Sequence, residues 1–314
     1  MKPELVFCYK DPGGENALRP VVYALKLDGR LDVKAEPSDT TDFVLTASSF
    51  GKSAPEKTLT KWANHRGIPS LGVLDFWSNY RERWPDEITT PTRIAVMDEL
   101  ALHEMVQSGF DADRISITGQ PAFDCLKSRR LSFTTHRRYW VKTYYGFKRN
   151  RKTLVFASQP HSKQKYNYGY NEHSVIREVI KACEALDYDL IIRPHPRENL
   201  GDLMPYTSHN VTVKRSGMVH ELLMAADLVI GMNTELLVEA CYLGCQVLSI
   251  QPDLIGEDVL PTNRIGASNV IYQQHLIKPT IAKMVNGEWT PKTIVDQEPA
   301  TPKVMGLIYE MMGL

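Results

Sequence analysis

Four short stretches carry the side chains that could do chemistry. In one, Asn233 and Thr234 follow an apolar run and precede a helical pattern that carries Glu239. Free N–H groups at a helix start favour phosphate, and a carboxylate about 1.4 turns further on can accept both hydroxyls of a ribose. A second stretch is Arg193-Pro-His195-Pro-Arg197. Its prolines hold the chain extended, so two arginines can fork onto phosphate oxygens and His195 can donate to a diphosphate or protonate a leaving phosphate. Ser158 and Gln159 end another apolar run upstream, and both are assigned to the same ligand. The third stretch is Asp11-Pro-Gly13-Gly14, whose glycines allow close approach of a ligand to the backbone. The fourth runs from Asp75 to Trp84, where Trp77, Asn79, Tyr80 and Arg83 suit a sugar or phosphate acceptor. Asp11 and Asp75 are the two candidate general bases.

These stretches fall at the ends of buried-strand patterns. Leu5–Tyr9, Phe43–Ala47, Ser70–Leu74, Arg93–Met97, Thr153–Ala157, Leu190–Arg193, Leu228–Ile230 and Val247–Ile250 are short apolar runs suited to strands covered on both faces. Helical patterns alternate with them, as at Pro55–Arg66 and Glu172–Leu186. That alternation predicts parallel sheets of the doubly wound kind, with functional side chains at the carboxyl ends of strands.

Length and composition set bounds. A chain of 314 residues is long enough for two domains. Its formal net charge is zero, so no whole-molecule field selects a nucleic acid or a membrane. Five cysteines without CxxC spacing argue against a disulfide framework or a zinc site. Asp111-Ala-Asp113 spells a metal-binding DxD, but it precedes a strand and reads as a polar turn; no metal ligand is assigned. Phe50-Gly-Lys-Ser53 lacks the upstream glycine of a P-loop. No leader or membrane-length apolar run is evident, so the expectation is a cytoplasmic protein without a transmembrane segment.

Charge is unevenly spread. Residues 125–152 hold ten Lys and Arg, among them Arg137 and Arg138, and no Asp or Glu. Tyr139, Trp140, Tyr144, Tyr145 and Phe147 are interleaved. Cations with flat rings suit an anionic polymer such as DNA, or an anionic lipid headgroup or glycan. The plainer expectation is a solvated interdomain helix that complements acids around Asp86, Glu87, Asp98, Glu99 and Glu104.

Thr234-x4-Glu239-Ala-x2-Leu-Gly244 resembles the donor-binding segment of GT-B nucleotide-sugar enzymes, glycosyltransferases and UDP-GlcNAc 2-epimerases among them. Arg193–Arg197 resembles the His-Pro segment of GT-B glycerophosphotransferases and capsule polymerases. Asp11-Pro-Gly-Gly14, Leu74–Trp84 and Thr118–Asp124 look like bacterial enzymes of the same group. The resemblance extends to about residue 265. It implies an α/β fold of two Rossmann-like, doubly wound parallel-sheet domains facing a cleft. The boundaries are 1–125 for an acceptor domain, 126–150 for a basic linker and 151–298 for a nucleotide-sugar domain. Residues 299–314 form a helix that returns to the first domain. It also makes Met218 and Val219 base contacts and turns Asp253 toward the donor sugar. The implied function is metal-independent glycosyl transfer from a nucleotide-sugar, without a cofactor, onto a hydroxyl of a glycan, a lipid-linked sugar or modified DNA. A 2-epimerase or nucleotide-sugar hydrolase, and a non-catalytic nucleic-acid or glycan binder, are the alternatives. The Gly-Thr-Arg-Pro-Glu signature of the epimerases is absent, with Asp11-Pro-Gly-Gly-Glu15 in its place, which counts against epimerisation.

Overall fold

The apolar runs form twelve parallel strands in two sheets of six in the computed structural model, which describes residues 2–49, 51, 54–147, 150–289 and 298–314. Phe50, Lys52 and Ser53 of the P-loop-like stretch lie outside the described residues. So do Lys148 and Arg149 of the basic stretch and 290–297, before the expected boundary at 298. The chain divides into two units, Met1–Cys125 with Gln297–Leu314, and Leu126–Asp296.

Unit 1 contains β1 (Glu4–Cys8), β2 (Asp32–Lys34), β3 (Thr41–Thr46), β4 (Ser70–Val73), β5 (Arg93–Val96) and β6 (Ile115–Ile117), in the order β2-β1-β3-β4-β5-β6. The chain reverses direction across the sheet between β1 and β3, so the loops after these two strands border its switch point. Four helices intervene: α1 (Pro12–Asp28), α2 (Pro55–Arg66), α3 (Tyr80–Arg83) and α4 (Glu99–Gln107). The sequence pattern suggests a first helix from Ala17. It starts five residues earlier because Asp11 caps it, accepting from Gly14 N at 2.8 Å, with Pro12 in the first turn, where no N–H is needed.

Unit 2 contains β7 (Thr153–Ala157), β8 (Asp189–Arg193), β9 (Val211–Val213), β10 (Leu228–Gly231), β11 (Val247–Ile250) and β12 (Asn269–Ile271), in the order β12-β11-β10-β7-β8-β9. Its switch point lies between β7 and β10. A Cβ on Gly231 would stand 3.0 Å from the Ala157 carbonyl, so glycine allows the chain to pass closely here. The helices are α5 (Asp124–Ser132), whose first two residues belong to unit 1, α6 (Thr135–Tyr144), α7 (Glu172–Leu186), α8 (Leu200–Leu203), α9 (Val219–Ala225), α10 (Glu235–Tyr242), α11 (Pro261–Arg264) and α12 (Ile277–Val285). Leu154, Phe156, Val175, Val179, Ile192, Ile230, Leu248 and Ile281 meet in one buried core.

The last helix, α13 (Ala300–Met312), belongs to unit 1. Val304 and Ile308 enter the core with Leu18, Val21 and Phe43, and Asp124 caps the helix through Ala300 N and Thr301 N at 2.7 and 2.8 Å.

The basic stretch is not a free connector. Most of it forms α5 and α6 of unit 2, with α6 packed on α9. Its cations meet acids of unit 2 rather than those around Asp86. Arg137 pairs with Glu221, Arg138 and Lys142 with Asp227, and Arg151 with Asp187 and Asp189. Asp86, Glu87 and Asp98 are engaged elsewhere, by Thr89, Arg114 and Trp77. Among the described residues no helix is long and apolar enough to cross a membrane.

Candidate functional site

The carboxyl ends of β7 and β10 bring several expected ligand contacts together. Ser158 and Gln159 follow β7, and Asn233 and Thr234 follow β10. Thr234 occupies the N-cap of α10, but its side chain makes no capping bond, and the start of the helix is left without a side-chain cap. Asn233 Oδ1 and Gln159 Oε1 are buried, and no partner reaches them among the described residues. His161 lies close by, 3% exposed, with its backbone N–H donating to the Gln159 carbonyl and neither ring nitrogen in hydrogen-bond geometry among the described residues. Burial holds its pKa below the usual imidazole value, an effect that the nearby Asn233 side chain opposes. Tyr168 stacks on the ring, with centroids 4.3 Å apart, and Tyr170 lies 5.5 Å away. Buried polar atoms without partners are costly, and Asn233 directly precedes a helix start that has no side-chain cap.

The Pro-His-Pro loop after β8 is held by Glu198. This carboxylate accepts from Ser158 Oγ at 2.6 Å and from His195 N at 2.5 Å. It is 6% exposed, and burial raises its pKa against the Ser158 hydrogen bond. His195 Nδ1 accepts from Arg197 N at 3.1 Å, so the ring proton sits on Nε2 and can be donated. Burial, with Arg197 and Arg215 nearby, keeps His195 below its usual pKa and favours the neutral ring. Arg193 donates to the Ser216 carbonyl at 2.8 Å, whereas Arg197 is exposed.

Glu239 lies one turn into α10, where His220 Nε2 meets its Oε2 at 2.6 Å. His220 belongs to the first turn of α9, directly after Met218 and Val219. Met218 is 53% exposed and lines a hollow of about 160 Å³ with Trp140, Tyr144, Tyr145, Gly217 and Glu221. Asp253 is exposed at the exit of β11 in a left-handed backbone conformation, φ 57°.

In unit 1, Asp11 and Asp75 approach one another around Gly13. A Cβ on Gly13 would stand 2.7 Å from Asp75 Oδ2 and 3.6 Å from Asp11 Oδ1, so glycine keeps that space open. Asp75 follows β4, and its side chain is 10% exposed. Its Oδ1 accepts from Ser48 Oγ at 2.8 Å and from Arg83. Burial pushes its pKa up, and Arg83 pulls it back.

Other expected contacts are turned inward. Trp77 is 3% exposed and donates its indole N–H to Asp98; Tyr80 is 7% exposed and donates to Glu104. Arg83 is buried with Asp75, and only Asn79 of the four expected acceptor contacts in this loop is exposed. The loop is rich in aromatic residues, so packing takes its rings and the polar tips find internal partners. Arg137 and Arg138 sit in ion pairs on the α6–α9 face. Asp111 accepts from Asp113 N in a single 3-10 turn, as the polar-turn reading expects. Sequence reasoning passed over His161, Glu198 and His220, each of which points at a predicted contact.

No protein-family model matches the chain, and no curated protein matches it by sequence. Solved structures do. The UDP-GlcNAc 2-epimerase of Neisseria meningitidis, bound to UDP-GlcNAc, superposes with a TM-score of 0.72 at 14% identity, over 99% of this chain and 100% of that one. The enzyme of Methanocaldococcus jannaschii, in complex with UDP-GlcNAc and UDP, gives 0.69 at 13% identity, over 99% and 100%. A glycosyltransferase from Rickettsia africae gives 0.64 at 11% identity, over 99% and 98%. The chain has the GT-B fold. At these identities the likeness is one of fold.

Proposed function

We propose that the chain is a GT-B glycosyltransferase that draws a sugar from a uridine-diphosphate donor. Unit 2 holds the donor. The diphosphate rests at the uncapped start of α10, with Asn233 and Thr234, and meets Arg193, Arg197 and the Nε2–H of His195. Glu239 takes the ribose, and the base lies against Met218 and Val219 in the hollow beside Trp140. Unit 1 supplies the base, Asp75, which removes the proton of the acceptor hydroxyl as it attacks the anomeric carbon. Helix dipole and arginines stabilise the charge of the departing diphosphate, so transfer needs no metal.

The observation that supports this reading most is the cluster at the switch point of unit 2. Asn233 Oδ1, Gln159 Oε1 and the His161 ring nitrogens are buried there without hydrogen-bond partners among the described residues, and Asn233 directly precedes the uncapped start of α10, with a carboxylate one turn along. The ion pairs of Arg137, Arg138, Lys142 and Arg151 weaken the charge argument for a nucleic-acid acceptor and favour a neutral glycan or lipid-linked sugar. Release of UDP from UDP-GlcNAc and other UDP-sugars, with and without glycan acceptors, tests the proposal. Release that depends on acceptor supports transfer.

A 2-epimerase or a nucleotide-sugar hydrolase is the second reading, favoured by the higher TM-scores of the epimerase structures. It requires donor turnover at full rate with no acceptor present.

A further inference from the structure

We infer that Arg83 is a positioning residue, which clamps one oxygen of Asp75 and leaves the other facing the space kept open by Gly13. The inference rests on the reading of Asp75 as the base. Arg83 reaches in from α3 with its side chain 2% exposed. Nη1 donates to Asp75 Oδ1, to the Ser48 carbonyl and, at 3.1 Å, to Ser48 Oγ, while Nε donates to the Ser78 carbonyl at 2.9 Å. One guanidinium thus ties together the loops that follow β3 and β4.

Both donors to Asp75 take the same oxygen. Ser48 Oγ and Arg83 hold Oδ1, and among the described residues no donor reaches Oδ2. Oδ2 is the atom that a Cβ on Gly13 would crowd. The carboxylate is therefore anchored by one oxygen and available by the other, as a general base requires. The α3 segment is itself fixed, because Lys57 Nζ donates to the Glu82 carbonyl at 2.6 Å and to that of Gly51 at 2.8 Å.

Arg83 also opposes the effect of burial on the charge state of Asp75. The groups acting on Asp75 are Arg83 from α3, the Ser48 hydroxyl from the loop after β3, and Asp11 from the start of α1. The first two favour the anion; Asp11 and burial oppose it. Without the guanidinium, a carboxylate in this site would hold its proton at higher pH and lose its use as a base. Lysine has one compact donor group where arginine has a planar fork, so it cannot reach all these acceptors at once.

The test uses the full chain, with the Asp75 carboxyl titrated by carbon-13 NMR and assigned against Asp75→Asn. Arg83→Gln should raise the Asp75 pKa by about one unit or more. The acid limb of kcat should move upward by the same amount, with UDP affinity unchanged. Arg83→Lys should fall between, and Ser48→Ala should shift the pKa less, in the same direction. An unmoved Asp75 pKa in folded Arg83→Gln overturns the inference, and so does a lower kcat without a displaced limb. Where Arg83→Gln does not fold, an unmoved pKa in Ser48→Ala overturns it. A pKa that moves while Asp75→Asn keeps full turnover supports the clamp and removes Asp75 as the base.

Discussion

His220 donates its Nε2–H to Glu239 across 2.6 Å, and the donor on its other nitrogen is Arg129. A guanidinium only donates, so Nδ1 of His220 must accept and the ring proton must sit on Nε2. The tautomer is fixed by the partner on the far side. His220 thereby orients Glu239 through Oε2, and among the described residues no hydrogen bond engages the other oxygen.

Glu239 should therefore lose function in part when His220 is changed. His220→Ala is expected to weaken UDP binding about fivefold, close to the loss of one hydrogen bond of ~1 kcal/mol. Calorimetric titration measures this. Unchanged affinity would mean that Glu239 needs no such support.

Glu198 links Ser158 to the loop of His195, and its effect should reach the ligand through that loop. Glu198→Ala leaves the Ser158 hydroxyl and His195 N–H without an acceptor and should destabilise the fold by about 2 kcal/mol. Glu198→Gln keeps one acceptor and should fold normally, with turnover reduced about tenfold through misplacement of His195. Turnover at the wild-type level in Glu198→Gln would detach this loop from the chemistry.

His161 gives a dependence of stability on pH. Its folded pKa lies below that of the unfolded chain, near 6.5 for histidine. Its contribution to stability is then complete above about 6.5 and is lost as pH falls toward the folded value. His195 is shifted in the same direction, so the comparison is between wild type and His161→Gln. The melting temperature of the variant should fall less between pH 7 and pH 5. Parallel curves would show that His161 takes no part.

Asp11 and Asp75 separate by the partners each one has. Asp11 is occupied as the cap of α1, and asparagine caps as well as aspartate, so Asp11→Asn should stay within a few-fold of wild type. Asp75→Asn should lower kcat by about 10²-fold or more. Equal rates for the two variants would place the base elsewhere.

The fold was legible because its central strands, such as Ser70–Val73, Thr153–Ala157 and Val247–Ile250, are buried along their whole length. Thr153–Ala157 and Val247–Ile250 are strands over the same residues that their apolar runs mark. So is helix Glu172–Leu186, whose start at Asn171 is a capping box. Asn269–Ile271 and Ile277–Val285 were not legible: the first is three residues at a sheet edge, and the second opens without a side-chain cap. Placement was legible for candidates that stand just beyond a strand, as with Asp11, Asp75, His195 and Asn233. It was hidden where the role depends on a partner distant in sequence. Glu221 lies 84 residues beyond Arg137, and Asp227 lies 89 beyond Arg138. His161 is covered by Tyr168 and Tyr170, which follow it by seven and nine residues, and Arg83, expected at the acceptor, is turned by α3 onto Asp75.

The central claim is that the carboxyl edge of unit 2 binds a nucleotide diphosphate through Glu239 and the start of α10. Calorimetric titration of UDP into wild type and Glu239→Ala tests it most directly. The account predicts saturable one-to-one binding to wild type and an affinity at least tenfold lower in the variant, about 1.4 kcal/mol. No binding to wild type, or equal affinity in the two proteins, would contradict it.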